Sequence, residues 1–373
     1  MGLPGLTVRR HVLTLAMFAC LMLTACASSH QPVPAPEAGR ADVVSLTPYN
    51  AALLQQACTA LNRPELGQFT AFHPRVAYTA AAFSQLGYLP EPTVRTCLAE
   101  RGFTLLGYFD LQPADYQFFA AQGMYKGRKV YIVSVRGSDS SEDWITNMQL
   151  ANRGLKDTTI PGRVHQGFLG YAEAVYNQIA WNDATRPLLT ETSMGKADLL
   201  ITGHSLGGAV GLIFTAMMRG IGVEPGHMQT YTFGAPAVGD KEFSRANDTG
   251  KIFRIELEGD PVPFAASISP WLYEQAKRNQ DEGIEVDATY QSQFMHIGKS
   301  YTFNPRQEGF TEADAALGTE NRTFLLSVVN NLIALYSSKY DVLEHDITSY
   351  MTILDKHLHS EEGQALIQRL AQP

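Results

Sequence analysis

Residues 197–217 read ADLLITGHSLGGAVGLIFTAM. The apolar run Leu199–Thr202 enters Gly203, His204, Ser205, Leu206 and Gly207, and a second apolar segment rich in Ala, Leu and Ile follows at once. A short apolar run, a glycine-flanked apex and a longer apolar run predict strand, sharp turn and helix, with Ser205 at the apex. Gly203 and Gly207 have a steric reason: the helix turns back against its own strand, and a Cβ two residues either side of the apex would obstruct it. A serine held there projects its hydroxyl from the end of a sheet. The Leu206 N–H, in the first helical turn, lacks an intrahelical acceptor and is available to a developing negative charge. The GxSxG pentapeptide alone arises by chance in a chain of this length, so the flanking strand and helix carry the reading. An acid, a base and a second oxyanion donor must then come from elsewhere.

A chain of 373 residues, 45% hydrophobic and 18% charged, buries one large core or two, and no internal repeat is visible. The formal charge is −8; removing residues 1–25 takes away Arg9 and Arg10 and no acid, leaving −10. Such a surface suits neither nucleic acid phosphates nor electrostatic docking on anionic lipid. No nucleic acid partner is expected.

Residues 1–25 read as a targeting segment. Arg9, Arg10 and His11 form a basic start, Val12–Leu23 is an apolar stretch too short to span a bilayer, and LTAC at 23–26 ends it. This resembles the lipobox of bacterial lipoproteins, which implies acylation of Cys26 as the new N-terminus and membrane attachment through that lipid. Ala27 in place of Asp implies the outer membrane by the same resemblance. An ordinary cleaved signal peptide is the alternative. Residues 26–46, rich in Pro, Ala and Ser, have too little aliphatic side chain to order themselves and read as a tether.

From residue 47 to 103 the pattern is helical: TPYNAALLQQACTALN, PRVAYTAAAFSQLGYL and EPTVRTCLAERG each start on Thr, Pro or Glu-Pro and end at Asn or Gly. With Cys20 cleaved off and Cys26 acylated, Cys58 and Cys97 are the remaining thiols, and an oxidising envelope favours a disulfide between them over two buried free cysteines. Strand signals begin at Thr104 with TLLGYFDL and YQFFAAQGMY; KGRK turns the chain into VYIVSV, 130–135, a run suited to a strand buried on both faces. A helical stretch at 165–190, the 197–217 unit, MQTYTFGAP at 228–236, a helix-like 237–250 and KIFRIELEGDPVP at 251–263 complete an alternation of strand and helix. The expected architecture is α/β, a largely parallel sheet with helices on both faces, its active residues beyond the strands' C-terminal ends.

Nucleophilic catalysis by serine needs a base, an acid to orient the base, and oxyanion donors. Asp260 follows the apolar strand IFRIELEG and stands where a strand C-terminus meets the elbow; it is also a residue that starts an Asp-Pro turn before Pro261. Two later histidines compete for the base. His296 lies in FMHIGKSYTF, which reads as a strand, and His345 in LEHDITSYMTIL, at the start of a helix. The residues alone leave this choice open.

The ordered segments VSVRGSDSSEDWITN, VHQGF, TGHSLGGA, TFGAPAVGD, GDPVP and HDITSY resemble the class 3 lipases, an α/β-hydrolase group. The likeness runs from about 115 to 300 and again over 340–355. It implies a serine ester hydrolase of acyl lipids, with nucleophile Ser205, acid Asp260 and base His345, which precedes Tyr350 as the family's base precedes a Tyr. It also implies oxyanion donors at Ser138, after Arg-Gly, and at the Leu206 N–H, and no cofactor or metal. The segment after Ser138, with Trp144, Ile145, Met148 and Leu150, stands where the family keeps a lid; a fixed loop packed on the sheet is the alternative. Phospholipase or lysophospholipase activity is the alternative within enzymes, and a non-catalytic envelope lipoprotein using the fold as a scaffold is the alternative outside them. The chain departs from the family in its N-terminal helices and in an insert at about 311–341, read as helical, with an apolar face from Phe324 to Tyr336.

Overall fold

Strand pairing follows the apolar runs. In the computed structural model, which describes residues 47–138, 155–157, 160–260, 262–265, 294–305, 309–313 and 345–371, the runs at 130–135 and 199–202 lie side by side and parallel. They are held in the register Val130↔Asp198 through Val135↔Gly203. The elements in chain order are helices α1 (Pro48–Ala60), α2 (Pro74–Leu86) and α3 (Glu91–Glu100), then strands β1 (Thr104–Leu111), β2 (Tyr116–Tyr125), β3 (Arg128–Val135), β4 (Leu155–Asp157) and β5 (Arg163–His165). Helices α4 (Gln166–Trp181) and α5 (Arg186–Ser193) lead to β6 (Asp198–His204), α6 (Leu206–Gly220), β7 (Met228–Phe233), α7 (Lys241–Asn247), β8 (Ile252–Leu257) and the short α8 (Val262–Ala265). Strands β9 (Lys299–Phe303) and β10 (Phe310–Ala313) precede the terminal helices α9 (Ile347–His359) and α10 (Glu361–Leu370).

Among the described residues eight strands form one sheet in the order β1-β2-β3-β6-β7-β8-β9-β10. The five central strands are parallel, β3 through β9, and each edge carries antiparallel additions. The parallel strands need crossover helices, and these cover both faces. Alternation along each strand decides which face a side chain serves: Val133, Val135, Leu199 and Ile201 pack with α4 and α6 through Phe168, Val210 and Phe214. Ile132, Leu200, Phe233 and Ile255 pack on the other face with α1, α2, α3 and α9, through Leu53, Phe83, Leu98 and Met351. Phe83 has no exposed surface, and truncating such a side chain to Ala typically costs about 3–5 kcal/mol.

The N-terminal helices are therefore part of the core. Thr47 caps α1 by accepting the Asn50 N–H, with Pro48 at the first helical position. Cys58 of α1 and Cys97 of α3 are bonded to each other, and α2 packs against β6 and α9.

Three readings of the sequence are revised. The stretch 165–190 is two helices, because Asn182–Thr185 breaks it ahead of Pro187. FMHIGKSYTF is strand only from Lys299 onward; Gly298 is left-handed (φ +76°) and packed so tightly that a Cβ would lie 2.4 Å from Ile252, and it bends the chain between His296 and the strand. The insert expected as helical from about 311 opens as strand, since Phe310–Ala313 pairs antiparallel with Ser300–Phe303. The leader, the tether with Cys26, the segment that stands where the family keeps a lid and the apolar face from Phe324 to Tyr336 lie outside the described residues.

Candidate active site

The parallel register fixes where the chemistry falls. Val135, Gly203 and Thr232 are level across neighbouring strands, so the segments that follow β3, β6 and β7 emerge together at one edge, joined by the loop after β8. Ser205 occupies the apex between β6 and α6 with φ +57° and ψ −130°, a conformation that costs a non-glycine residue roughly 1–3 kcal/mol and persists only where the surroundings impose it. Here they do. Ser205 N–H donates to Phe233 O at 2.8 Å; a Cβ on Gly203 would lie 2.3 Å from Gly207 O, and one on Gly207 2.1 Å from Val135 O. Both glycines are required by close backbone approach.

His345 lies next to this apex. Its Nε2 is 2.9 Å from Ser205 Oγ, and its Nδ1 is 2.8 Å from Asp260 Oδ2. A carboxylate only accepts, so Nδ1 carries the proton and Nε2 is left as the acceptor for the serine hydroxyl. Asp346 fixes the backbone here: it caps α9 through Oδ1, which accepts the Thr348 N–H at 2.8 Å, while the Tyr49 hydroxyl donates to its Oδ2 at 2.7 Å.

Asp260 is buried and surrounded by donors. Its Oδ1 accepts the Val262 N–H at 2.9 Å; its Oδ2 accepts from His345 and from the Tyr350 hydroxyl, the latter at 2.5 Å. Burial and the neighbouring Asp260 push the Tyr350 hydroxyl well above its ordinary pKa, so it stays a donor. Further back on β8, Arg254 and Glu256 form a buried pair at 2.6 Å. Burial, the largest influence on each, lowers the Arg254 pKa and raises that of Glu256.

His296 has a different place. Its Nε2–H donates to Pro263 O at 2.9 Å, and its carbonyl accepts the Ser244 hydroxyl at 2.5 Å. It anchors the loop that carries Asp260, and burial followed by repulsion from Arg254 holds it well below the usual histidine range, hence neutral.

Ser138 directly follows Gly137, whose added Cβ would lie 3.0 Å from Ser205 Cβ and 2.7 Å from His204 O. The turn after β3 is thus pressed against the elbow, with Ser138 half-buried beside it. Arg136, buried, ties this turn to Asp115 at 2.7 Å, and its carbonyl accepts the Tyr171 hydroxyl at 3.3 Å. The Leu206 N–H lies in the first turn of α6. Among the described residues no group of three or more His, Cys, Asp or Glu is placed to hold a metal ion.

Gly234 was not singled out in the sequence. It is left-handed (φ +59°), and a Cβ there would lie 2.8 Å from both Asp260 Oδ2 and Tyr350 Oη and 3.1 Å from His345 Cε1. Its signal was the glycine in TFGAP, at a strand end beside the elbow.

The parallel sheet, the elbow and a hydrogen-bonded Ser-His-Asp series define an α/β-hydrolase fold. Residues 132–269 match the family model for lipase (class 3). Over 138 residues, 36% of this chain and 39% of the relative, the sequence is 34% identical to secreted mono- and diacylglycerol lipase 1 of Fusarium solani. Over 166 residues, 42% of this chain and 24% of the relative, it is 30% identical to a chloroplastic phospholipase A1 of Arabidopsis thaliana. The chain thus spans well under half the length of these relatives. Among solved structures, the mono- and diacylglycerol lipase from Aspergillus oryzae superposes with a TM-score of 0.50 at 19% identity, covering 72% of this chain and 94% of that one.

Proposed function

We propose that this chain is a serine-dependent hydrolase of carboxylic esters in acyl lipids, working through an acyl-enzyme. The observation that carries the reading is the series Ser205 Oγ, His345 Nε2, His345 Nδ1, Asp260 Oδ2, with contacts of 2.9 and 2.8 Å. Ser205 Oγ attacks the ester carbonyl as its proton passes to His345 Nε2. Asp260 stabilises the resulting imidazolium, and the Leu206 N–H with Ser138 receives the oxyanion. On collapse the C–O bond to the alcohol breaks and His345 protonates the departing oxygen. Water then repeats the sequence on the acyl-serine, returning carboxylic acid and free Ser205.

The similarity to lipase (class 3) over 132–269 supports acyl lipids as the substrate class. Assays of the purified protein on triacylglycerols, diacylglycerols, phospholipids and short-chain p-nitrophenyl esters test it. Hydrolysis of acylglycerols supports the reading; turnover confined to phospholipids replaces it with a phospholipase, and turnover of none in folded protein removes it in favour of a scaffold.

The sequence features at the N-terminus support a bacterial envelope lipoprotein, anchored in the outer membrane through lipid on Cys26. Several acyl chains on one residue give stable anchoring without a spanning helix. Metabolic labelling with a palmitate analogue tests it: label retained in Cys26→Ser would refute the assignment.

A further inference from the structure

The nucleophile's neighbour His204 has a use that the proton transfer does not assign to it. Its ring is buried, 4.8 Å from that of His345, centroid to centroid. Nε2 of His204 lies 2.6 Å from the carbonyl oxygen of His345, and a carbonyl only accepts, so Nε2 carries a proton. Nδ1 lies 2.7 Å from the Tyr88 hydroxyl. Burial first, and repulsion from His345 second, lower the His204 pKa to about 3; the ring is neutral, and Nδ1 must accept. The Tyr88 hydroxyl therefore donates to His204, and its oxygen is left to receive the Gly137 N–H at 3.2 Å.

The donor directions run one way through four groups, from Gly137 N–H to Tyr88, from Tyr88 to His204 Nδ1, and from His204 Nε2 to His345 C=O. The first is the backbone beside Ser138, the third is the residue before Ser205, and the last is the backbone of the base. Tyr88 comes from the turn after α2, outside the segment 132–269 that matches lipase (class 3). A Cβ on Gly137 would lie 2.6 Å from the Tyr88 hydroxyl, so the hydroxyl is packed directly against the oxyanion turn.

We propose that Tyr88 and His204 are positioning residues, a hydrogen-bond relay by which the N-terminal helices hold the oxyanion turn, the nucleophile and the base in one geometry. Reacting groups displaced by as little as 1 Å lose large factors in rate, and the relay joins the turn after β3, the apex after β6 and the residue that precedes α9. The relay acts on orientation, so its loss falls on kcat rather than on substrate binding. This inference rests on the reading of Ser205, His345 and Asp260 as the reacting set.

The test uses the full-length protein on a short-chain p-nitrophenyl ester, with active sites counted by fluorophosphonate titration. Tyr88→Phe removes only the hydroxyl. It is expected to lower kcat per titrated site about tenfold, with KM within about twofold. His204→Gln can place its amide N–H toward His345 C=O but has no acceptor at the position of Nδ1 that meets Tyr88; a similar fall is expected. Combining the two should cost no more than the worse single variant, since both cut one relay.

Tyr108→Phe is the structural control: the Tyr108 hydroxyl donates to Leu89 O at 2.9 Å, next to Tyr88 and off the relay, and per-site kcat should stay within about twofold. Wild-type per-site kcat in Tyr88→Phe, an equal loss in Tyr108→Phe, or additive losses in the double variant would each overturn the proposal. A wild-type protein that fails to titrate would instead overturn the triad reading beneath it.

Discussion

Tyr350 Oη and His345 Nδ1 meet on a single oxygen, Asp260 Oδ2, at 2.5 and 2.8 Å. The acid is thus held by the helix that follows the base, and α9 cannot shift without disturbing both partners. Hydrogen bonds to charged groups contribute about 1.5–3 kcal/mol. Tyr350→Phe is expected to lower the unfolding free energy by that amount, read from urea denaturation, and to reduce kcat about tenfold. Wild-type values for both would show that Asp260 does not need this donor.

Gly234 tests the packing around the same carboxylate. Ala there meets Asp260 and Tyr350 at 2.8 Å and is strained at φ +59°. Gly234→Ala should reduce kcat by roughly 10²-fold, with circular dichroism showing a folded protein. Activity within a few-fold of wild type would mean that the contacts relax at little cost.

Acid should unfold this protein through its buried histidines. His204 is lowered to about 3 and His296 well below its ordinary value, each chiefly by burial. Unfolded histidine takes up a proton near pH 6.5 while these two do not, so the unfolded state binds more protons below that pH. Stability is complete above about pH 6.5 and is lost progressively as pH falls toward the folded values. Urea midpoints should decline from pH 7 to pH 4.5, with about two protons taken up on unfolding at pH 5 from this pair. A flat midpoint over that range would contradict the buried neutral assignment.

The Cys58–Cys97 bond closes a separation of 39 residues, and the chain-entropy treatment gives about 4 kcal/mol for a loop of that size. Because α1–α3 share the core that carries α9, reduction should lower the melting temperature and activity together. Loss of the bond without change in either would show that packing alone holds these helices.

The sheet and the elbow were legible because their signals are local. Apolar runs such as 130–135 and the paired glycines around Ser205 report strand and turn through near neighbours in the chain. Asp260 was legible as a strand-end residue but not as a partner of His345, since 85 positions separate them. Choosing between His296 and His345 needed the family resemblance; in the structure the bend at Gly298 and the contact with Pro263 O put His296 behind the acid loop. Gly234, Tyr88 and Tyr49 were not legible as parts of the site. Their significance lies in contacts between distant segments, which no local pattern encodes.

The central claim is that Ser205 is a nucleophile activated by His345. Reaction of the folded protein with a fluorophosphonate, followed by intact mass and peptide mapping, tests it most directly. One adduct, on Ser205, is predicted, with its second-order rate constant reduced at least 10³-fold in His345→Ala. No adduct in folded protein, an adduct on another residue, or an undiminished rate in His345→Ala would contradict the account.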